Sequence, residues 1–141
     1  MNYDKLKLEN QLCFPLYACS KEIIKKYKPF LDPLGLTYTQ YITLMALWEE
    51  DNITVKALGD RLYLDSGTLT PLLKKMEGQH LITRERSIND ERNVYIKLTN
   101  AGIALKEKAI SIPDQISKCI TLSTEEAIFL HKTLHKILKQ F

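Results

Sequence analysis

The stretch from Thr54 to Leu98 constrains the fold more than any other part of the chain. TVKALGDRL, Thr54–Leu62, sets Val55, Leu58 and Leu62 at helical spacing on one face. LDSGTLTPLLKKMEGQ, Leu64–Gln79, does the same with Leu69, Leu72, Leu73 and Met76, and carries Thr68, Thr70, Lys74 and Lys75 on the other face. Asp65 and Ser66 are good N-caps for this second helix. A start at Ser66 or Gly67 leaves Pro71 in the first turn or just beyond it, where a missing N–H costs least. Gly78 is expected to end it. The three-residue connection Tyr63–Asp65 suits a helix-turn-helix. Leu81–Arg86 and Asn93–Leu98 then read as two strands, with Val94, Ile96 and Leu98 alternating and Ile88–Arg92 as the polar hairpin tip. Helix, turn, helix and hairpin in that order make a winged helix-turn-helix. The fold class is mainly α with a small β-wing.

A short helix with hydroxyls at Ser66, Thr68 and Thr70 and lysines at Lys74 and Lys75 suits entry into a DNA major groove. Arg84 and Arg86 on the first wing strand, and Arg92 at the tip, can reach phosphates and the minor groove. Asp90 is expected to orient Arg92 rather than touch DNA. Alone, such a helix is a solvated surface helix and such a hairpin a solvated turn; the complete order makes both readings less apt. The net charge is only +3, and Val55–Thr99 holds eight Lys or Arg against six Asp or Glu. A double-stranded DNA partner is therefore argued from placement and not from bulk charge.

The 141 residues suffice for a single domain, 1–141, with the winged core at about 53–99. At 45% hydrophobic residues, disorder is not expected. No apolar run approaches a membrane span, and MNYDKLKLENQ does not read as a signal peptide, so a cytoplasmic protein without membrane contact is expected. Leu8–Phe30 reads as a long helix striped with Leu12, Leu16, Cys19, Ile23 and Tyr27; Pro15 fits it if a turn begins near Leu12 or Cys13, so that it lies in a first turn or at a kink. Pro29, Pro33 and Gly35 follow as a loop. Thr37 caps a second helix running to about Glu50, with Tyr41, Leu44, Met45 and Trp48 inward. Asn52–Thr54 can add a small strand. Beyond Thr99, Asn100–Lys118 reads as a helix that Pro113 kinks or divides. Ser123–Gln140 opens with a capping box of Ser123 and Glu126, and its stripe is Ile128, Leu130, Leu134, Ile137 and Leu138. The flanking helices, about 8–30 and 100–140, have apolar stripes without an obvious partner in a chain this short. Packing against a second copy resolves this, and a two-fold homodimer suits a palindromic operator.

The wing sequence DERNVYIKLT, in which Asp90 and Arg92 are followed by Leu98 and Thr99, resembles the MarR family of winged-helix regulators. The recognition stretch LDSGTLTPLLKKME, together with QLCFPLY from Gln11 to Tyr17, is similar to its thiol-sensing OhrR and SarZ-like branch. That resemblance implies a repressor whose first-helix cysteine senses organic hydroperoxides or other oxidants and releases DNA when oxidised. Carried over, Cys13 is the sensor. Tyr17, Tyr27 and Tyr38 stand where the branch has its hydroxyl partners, the last two from the other subunit. Some members resolve the oxidised sensor with a second cysteine in the other subunit, here Cys119; others trap a small thiol instead. No cofactor is implied.

The residues add their own case for Cys13. Thiolate is the nucleophile towards peroxide, and a helix start presents unpaired N–H groups that favour the anion. The plain alternative is a buried free cysteine acting as a small hydrophobe. Cys19, six residues on, lies about 240° round the helix from Cys13 and is expected to be core packing. Three cysteines without a CxxC do not form a disulfide framework. His131 and His135, four apart, lack an HExxH context and a third ligand nearby in sequence, and read as a surface or dimer-facing pair. Ser66 lacks a GxSxG elbow, so no enzyme is expected. Two rival readings stand beside the thiol switch: a MarR-type repressor answering to a small aromatic ligand, and a thiol peroxidase or interaction module without a DNA role.

Overall fold

Local capping chemistry sets most of the helix starts. In the computed structural model, which describes Met1–Phe141, the elements run α1 Cys13–Leu31, α2 Tyr38–Glu49, β1 Ile53–Thr54, α3 Val55–Leu62, α4 Ser66–Gly78, β2 Ile82–Arg86, β3 Val94–Leu98, α5 Asn100–Ala109, α6 Ile112–Cys119 and α7 Thr124–Leu138. Thr37 and Ser123 each complete a capping box, at α2 and α7. Thr54 and Thr99 accept from the N–H groups of Ala57 and Gly102, each at 3.1 Å. Each cap satisfies a backbone donor that the helix itself cannot.

The helix-turn-helix is held by a close approach. Tyr63 takes a left-handed conformation (φ 55°) at the end of α3, and the N–H of Leu64 returns to the Gly59 carbonyl at 3.0 Å. A Cβ on Gly59 would stand 2.7 Å from the Leu64 carbonyl oxygen, so the turn needs glycine there. The sheet is antiparallel in the order β1-β3-β2, with Ile53 opposite Ile96 and Ile82 opposite Leu98. Those four side chains are buried with Leu58, Leu69, Leu73 and Met76, so α3, α4 and the wing share one core.

Several boundaries differ from the sequence expectation. Helix α1 starts at Cys13, after 3-10 turns at Asp4–Leu6 and Leu8–Asn10, which puts Pro15 in its first turn. It continues to Leu31 through Pro29, which is therefore helical and not loop. Pro71 is the sixth residue of α4, just beyond the first turn. Helix α4 includes Gly78; the left-handed residue after it is His80 (φ 60°), which reverses the chain into β2. The helix after Thr99 divides at Ile110–Ser111, and Pro113 falls at the second position of α6, where a missing N–H is harmless.

Helix α2 is covered nearly all round, with Gln40, Tyr41, Thr43, Leu44, Ala46 and Leu47 buried. Met45, expected inward, is 39% exposed. Buried Gln40 is satisfied at both ends of its amide: Oε1 accepts from Thr37 N–H at 3.1 Å, and Nε2 donates to Gln79 Oε1 at 3.0 Å. Trp48 Nε1 donates to the Gly102 carbonyl at 3.0 Å and joins α2 to α5. A Cβ on Gly102 would lie 2.2 Å from the Leu81 carbonyl oxygen. Gly102→Ala is therefore expected to lower the unfolding free energy by about 1–3 kcal/mol, through forced displacement of α5, as read by chemical denaturation.

The flanks stand uncovered. No residue of α7 is buried, and Leu12 and Phe129 are 75% and 72% exposed. Leu16 and Ile24 on α1 and Ile128 and Leu130 on α7 are exposed as well.

Candidate DNA-binding face and thiol site

The exposed side of α4 carries Ser66, Thr68, Lys74 and Lys75, with Thr70 half-buried at its edge. Asp65 Oδ1 accepts from the Thr68 backbone N–H at 2.7 Å. Hydrogen bonds from Thr68 backbone and side chain hold this carboxyl below the usual aspartate range. It stays ionised at neutral pH with its charge engaged by the helix start. Its contribution to the cap is present above the ordinary aspartate value and fades as pH falls through the lowered one.

A groove runs between α4, the start of α3 and the wing, and Thr70, Lys74, Arg84, Arg86 and Arg92 line it. Lys56 borders it too and, with Arg92, also borders the neighbouring depression at the start of α4. Sequence reading did not single out Lys56. Its signal was its place two residues after the Thr54 cap, on the polar side of α3.

The three wing arginines differ in what holds them. Arg84 is half-buried, and its Nε and Nη2 both donate to Glu77 Oε1 at 3.1 Å, while its backbone N–H reaches Glu77 Oε2 at 3.2 Å. This pairing clamps β2 to α4. Arg86 Nη1 donates to the Glu91 carbonyl at 2.8 Å and braces the hairpin tip. Arg92 is 90% exposed at its side chain; Asp90 accepts from its backbone N–H at 3.0 Å and its Nε at 3.2 Å. Asp90 thus orients a guanidinium that projects into solvent.

Cys13 is the first residue of α1 and is exposed, and no side chain caps that helix. The first residue of a helix lies at the positive end of its dipole, among N–H groups that have no partner within the helix. Tyr17 lies one turn further on, with Lys21 Nζ 5.1 Å from its ring centre. Tyr27 is fourteen residues along the same helix, about 21 Å at the helical rise. It packs with Tyr38 at 4.9 Å and Tyr41 at 5.9 Å between ring centres, and Tyr38 lies 6.4 Å from Tyr41. Burial pushes all three phenols above the usual tyrosine value, and at Tyr27 and Tyr41 neighbouring phenols add to it. They are protonated donors throughout the physiological range. Tyr41 joins this cluster although its sequence position suggested only core packing.

Within one chain, then, Cys13 and the tyrosine cluster occupy opposite ends of α1. Cys119 ends α6, exposed, with its Sγ–H directed at the Gln115 carbonyl at 3.4 Å. Cys19 is also exposed. The expectation that it packs in the core is corrected: the face of α1 that carries Leu12, Leu16 and Cys19 has no cover in the single chain. All three thiols are free.

The family model described as transcriptional regulator SarA/Rot matches residues 25–109. The organic hydroperoxide resistance transcriptional regulator of Bacillus subtilis is 55% identical over 137 residues, covering 97% of this chain and 93% of that protein. The HTH-type transcriptional regulator SarZ of Staphylococcus saprophyticus is 48% identical over 133 residues, covering 94% and 91%. Among solved structures, reduced AbfR bound to DNA superposes with a TM-score of 0.78 at 36% identity, over 97% of this chain and 95% of that one. The disulfide form of AbfR superposes less well, at 0.66 with 36% identity, over 96% and 95%.

Proposed function

The chain belongs to the SarA/Rot family of transcriptional regulators, and from that premise we propose that it is a homodimeric DNA-binding repressor switched by oxidation of Cys13. It acts in the cytoplasm on a palindromic operator. Helix α4 enters the major groove with Ser66, Thr68, Thr70, Lys74 and Lys75, and Arg92 reaches the backbone or minor groove from the wing. Lys56 and Arg86 contact phosphates at the sides. Arg84, committed to Glu77, positions the wing. The DNA-bound form of a relative is the better structural match, which supports reading this conformation as the binding-competent one.

One observation carries the sensing half: Cys13 and Tyr27 stand at opposite ends of α1, and Tyr38 packs on Tyr27, so these donors are too far from Cys13 to meet it in the same chain. A second copy packed antiparallel on the exposed stripe of α1 brings the partner's tyrosines to each thiolate, with Tyr17 supplied from the same chain. The uncovered apolar surfaces of α1 and α7 are the area such a dimer buries. The thiolate attacks one peroxide oxygen, the O–O bond breaks, and the other oxygen leaves as an alcohol after taking up a proton. Cys13 becomes a sulfenic acid. The Cys119 thiol of the other chain then displaces that hydroxyl as water and forms a disulfide. Closing it requires Cα atoms within roughly 7 Å; where the resting separation is larger, the flanks shift and the two winged lobes lose their half-site spacing.

A titration on the promoter DNA of its own gene tests the proposal. Tight, salt-dependent binding by the reduced dimer is expected, with release on adding an organic hydroperoxide. On a non-reducing gel, oxidised wild type should run as a covalent dimer, and Cys13→Ser and Cys119→Ser should each abolish that band. A monomer band heavier by the mass of a small thiol would assign Cys119 no part. DNA binding indifferent to hydroperoxide would remove the thiol switch.

A further inference from the structure

The two histidines of α7 converge. His131 and His135 are one turn apart, both exposed in the single chain, with their Nε2 atoms 3.0 Å apart and ring centres 4.3 Å apart. Spacing alone places two such rings on one face. What spacing does not give is the rotamer pair that brings the two Nε2 atoms within hydrogen-bond distance of each other, close enough for one ion to reach both. We propose that this pair binds a divalent transition-metal ion of the nickel, copper and zinc class, with water completing the coordination.

At metal–nitrogen distances of about 2.0–2.1 Å, nitrogens 3.0 Å apart subtend roughly 90–100° at the metal. That angle is a cis pair in octahedral or square-planar geometry and a modest compression of a tetrahedral one. Imidazole is a good ligand for all three ions. The position in the helix favours a cation as well. His135 lies in the last turn of α7, at the negative end of the helix dipole. The side chains beside His131, Ala127, Ile128 and Lys132, bring no carboxylate, and no group of three or more His, Cys, Asp or Glu surrounds the pair. The site is therefore a two-nitrogen clip across one helical turn. Binding there steadies a helix that buries none of its residues in its own chain.

The probe is Ni2+ alone, which leaves thiols reduced, added to the full-length protein in its native oligomeric state. Wild type and His131→Gln share His80 and all three thiols, so their difference reports the pair. Gln suits an exposed helical position, and folding of the variant can be checked by circular dichroism. Equilibrium dialysis should give one bound ion per chain in wild type, with affinity at least about tenfold weaker in His131→Gln and in His135→Gln. Bound ion should also raise the thermal midpoint of wild type and not of the variants, as ligand linkage requires. Equal nickel binding by wild type and both variants, or no binding by wild type, would overturn the site.

Discussion

Cys13→Ser is expected to keep its operator at hydroperoxide concentrations that release the wild type completely. The hydroxyl of serine is close in size to the thiol, and the position is exposed at the first turn of α1, so the fold and the resting DNA affinity should persist. What disappears is the thiolate, the only form that attacks peroxide. Cys19→Ser should leave the response intact, because Cys19 sits about 240° round the same helix and cannot share the site. The measurement is DNA occupancy against hydroperoxide concentration by fluorescence anisotropy. Release of Cys13→Ser at the wild-type concentration would remove Cys13 from the switch.

Arg92→Ala is expected to weaken operator binding by about 1–3 kcal/mol, roughly five- to 150-fold, if its guanidinium reads base edges or lies deep in the minor groove. Little folding stability should be lost, since an exposed ion pair such as Arg92–Asp90 contributes little on its own. Asp90→Ala should produce a smaller loss than Arg92→Ala, because it frees the guanidinium without deleting it. Arg84→Ala should behave differently. It leaves Glu77 unpaired and loosens β2 from α4, so stability and DNA affinity fall together. Arg92→Ala with unchanged affinity at moderate salt would take the wing tip out of the interface.

The winged core was legible because each of its signals is local. Asp65 and Thr54 cap where their side chains allow, the Tyr63 turn follows from a three-residue connection, and the β2–β3 alternation sets which side chains face α4. The prolines were harder to place. Pro29 is carried inside α1, at the cost of a helical hydrogen bond that the packing of Phe30 and Leu31 offsets. Gly78 could not be separated from His80 as the point of reversal, since both precede β2 and glycine is the residue expected in a left-handed position that His80 takes here, closed by Leu81 N–H to the Met76 carbonyl. The division of labour among the wing arginines was invisible. Arg84, Arg86 and Arg92 look alike in sequence, and only the position of Glu77 distinguishes the one that clamps β2 to α4 from the two held within the hairpin. The tyrosine cluster shows the same limit: Tyr41 has helical core spacing, and its contact with Tyr27 depends on how α1 crosses α2. The exposure of Cys19 follows from an uncovered face that helical spacing cannot distinguish from a covered one.

The central claim is that each sensor thiol is completed by tyrosines of the other chain. A mixed dimer tests it, with one chain carrying Cys13→Ser and the other carrying Tyr27→Phe and Tyr38→Phe. That dimer holds one reactive Cys13, in the chain whose own tyrosines are altered, facing the intact tyrosines of its partner. The rate of its oxidation by an organic hydroperoxide, followed by mass spectrometry, should equal the wild-type rate per site. A rate as slow as that of the Tyr27→Phe, Tyr38→Phe homodimer would mean that the tyrosines act within their own chain, and would contradict the account.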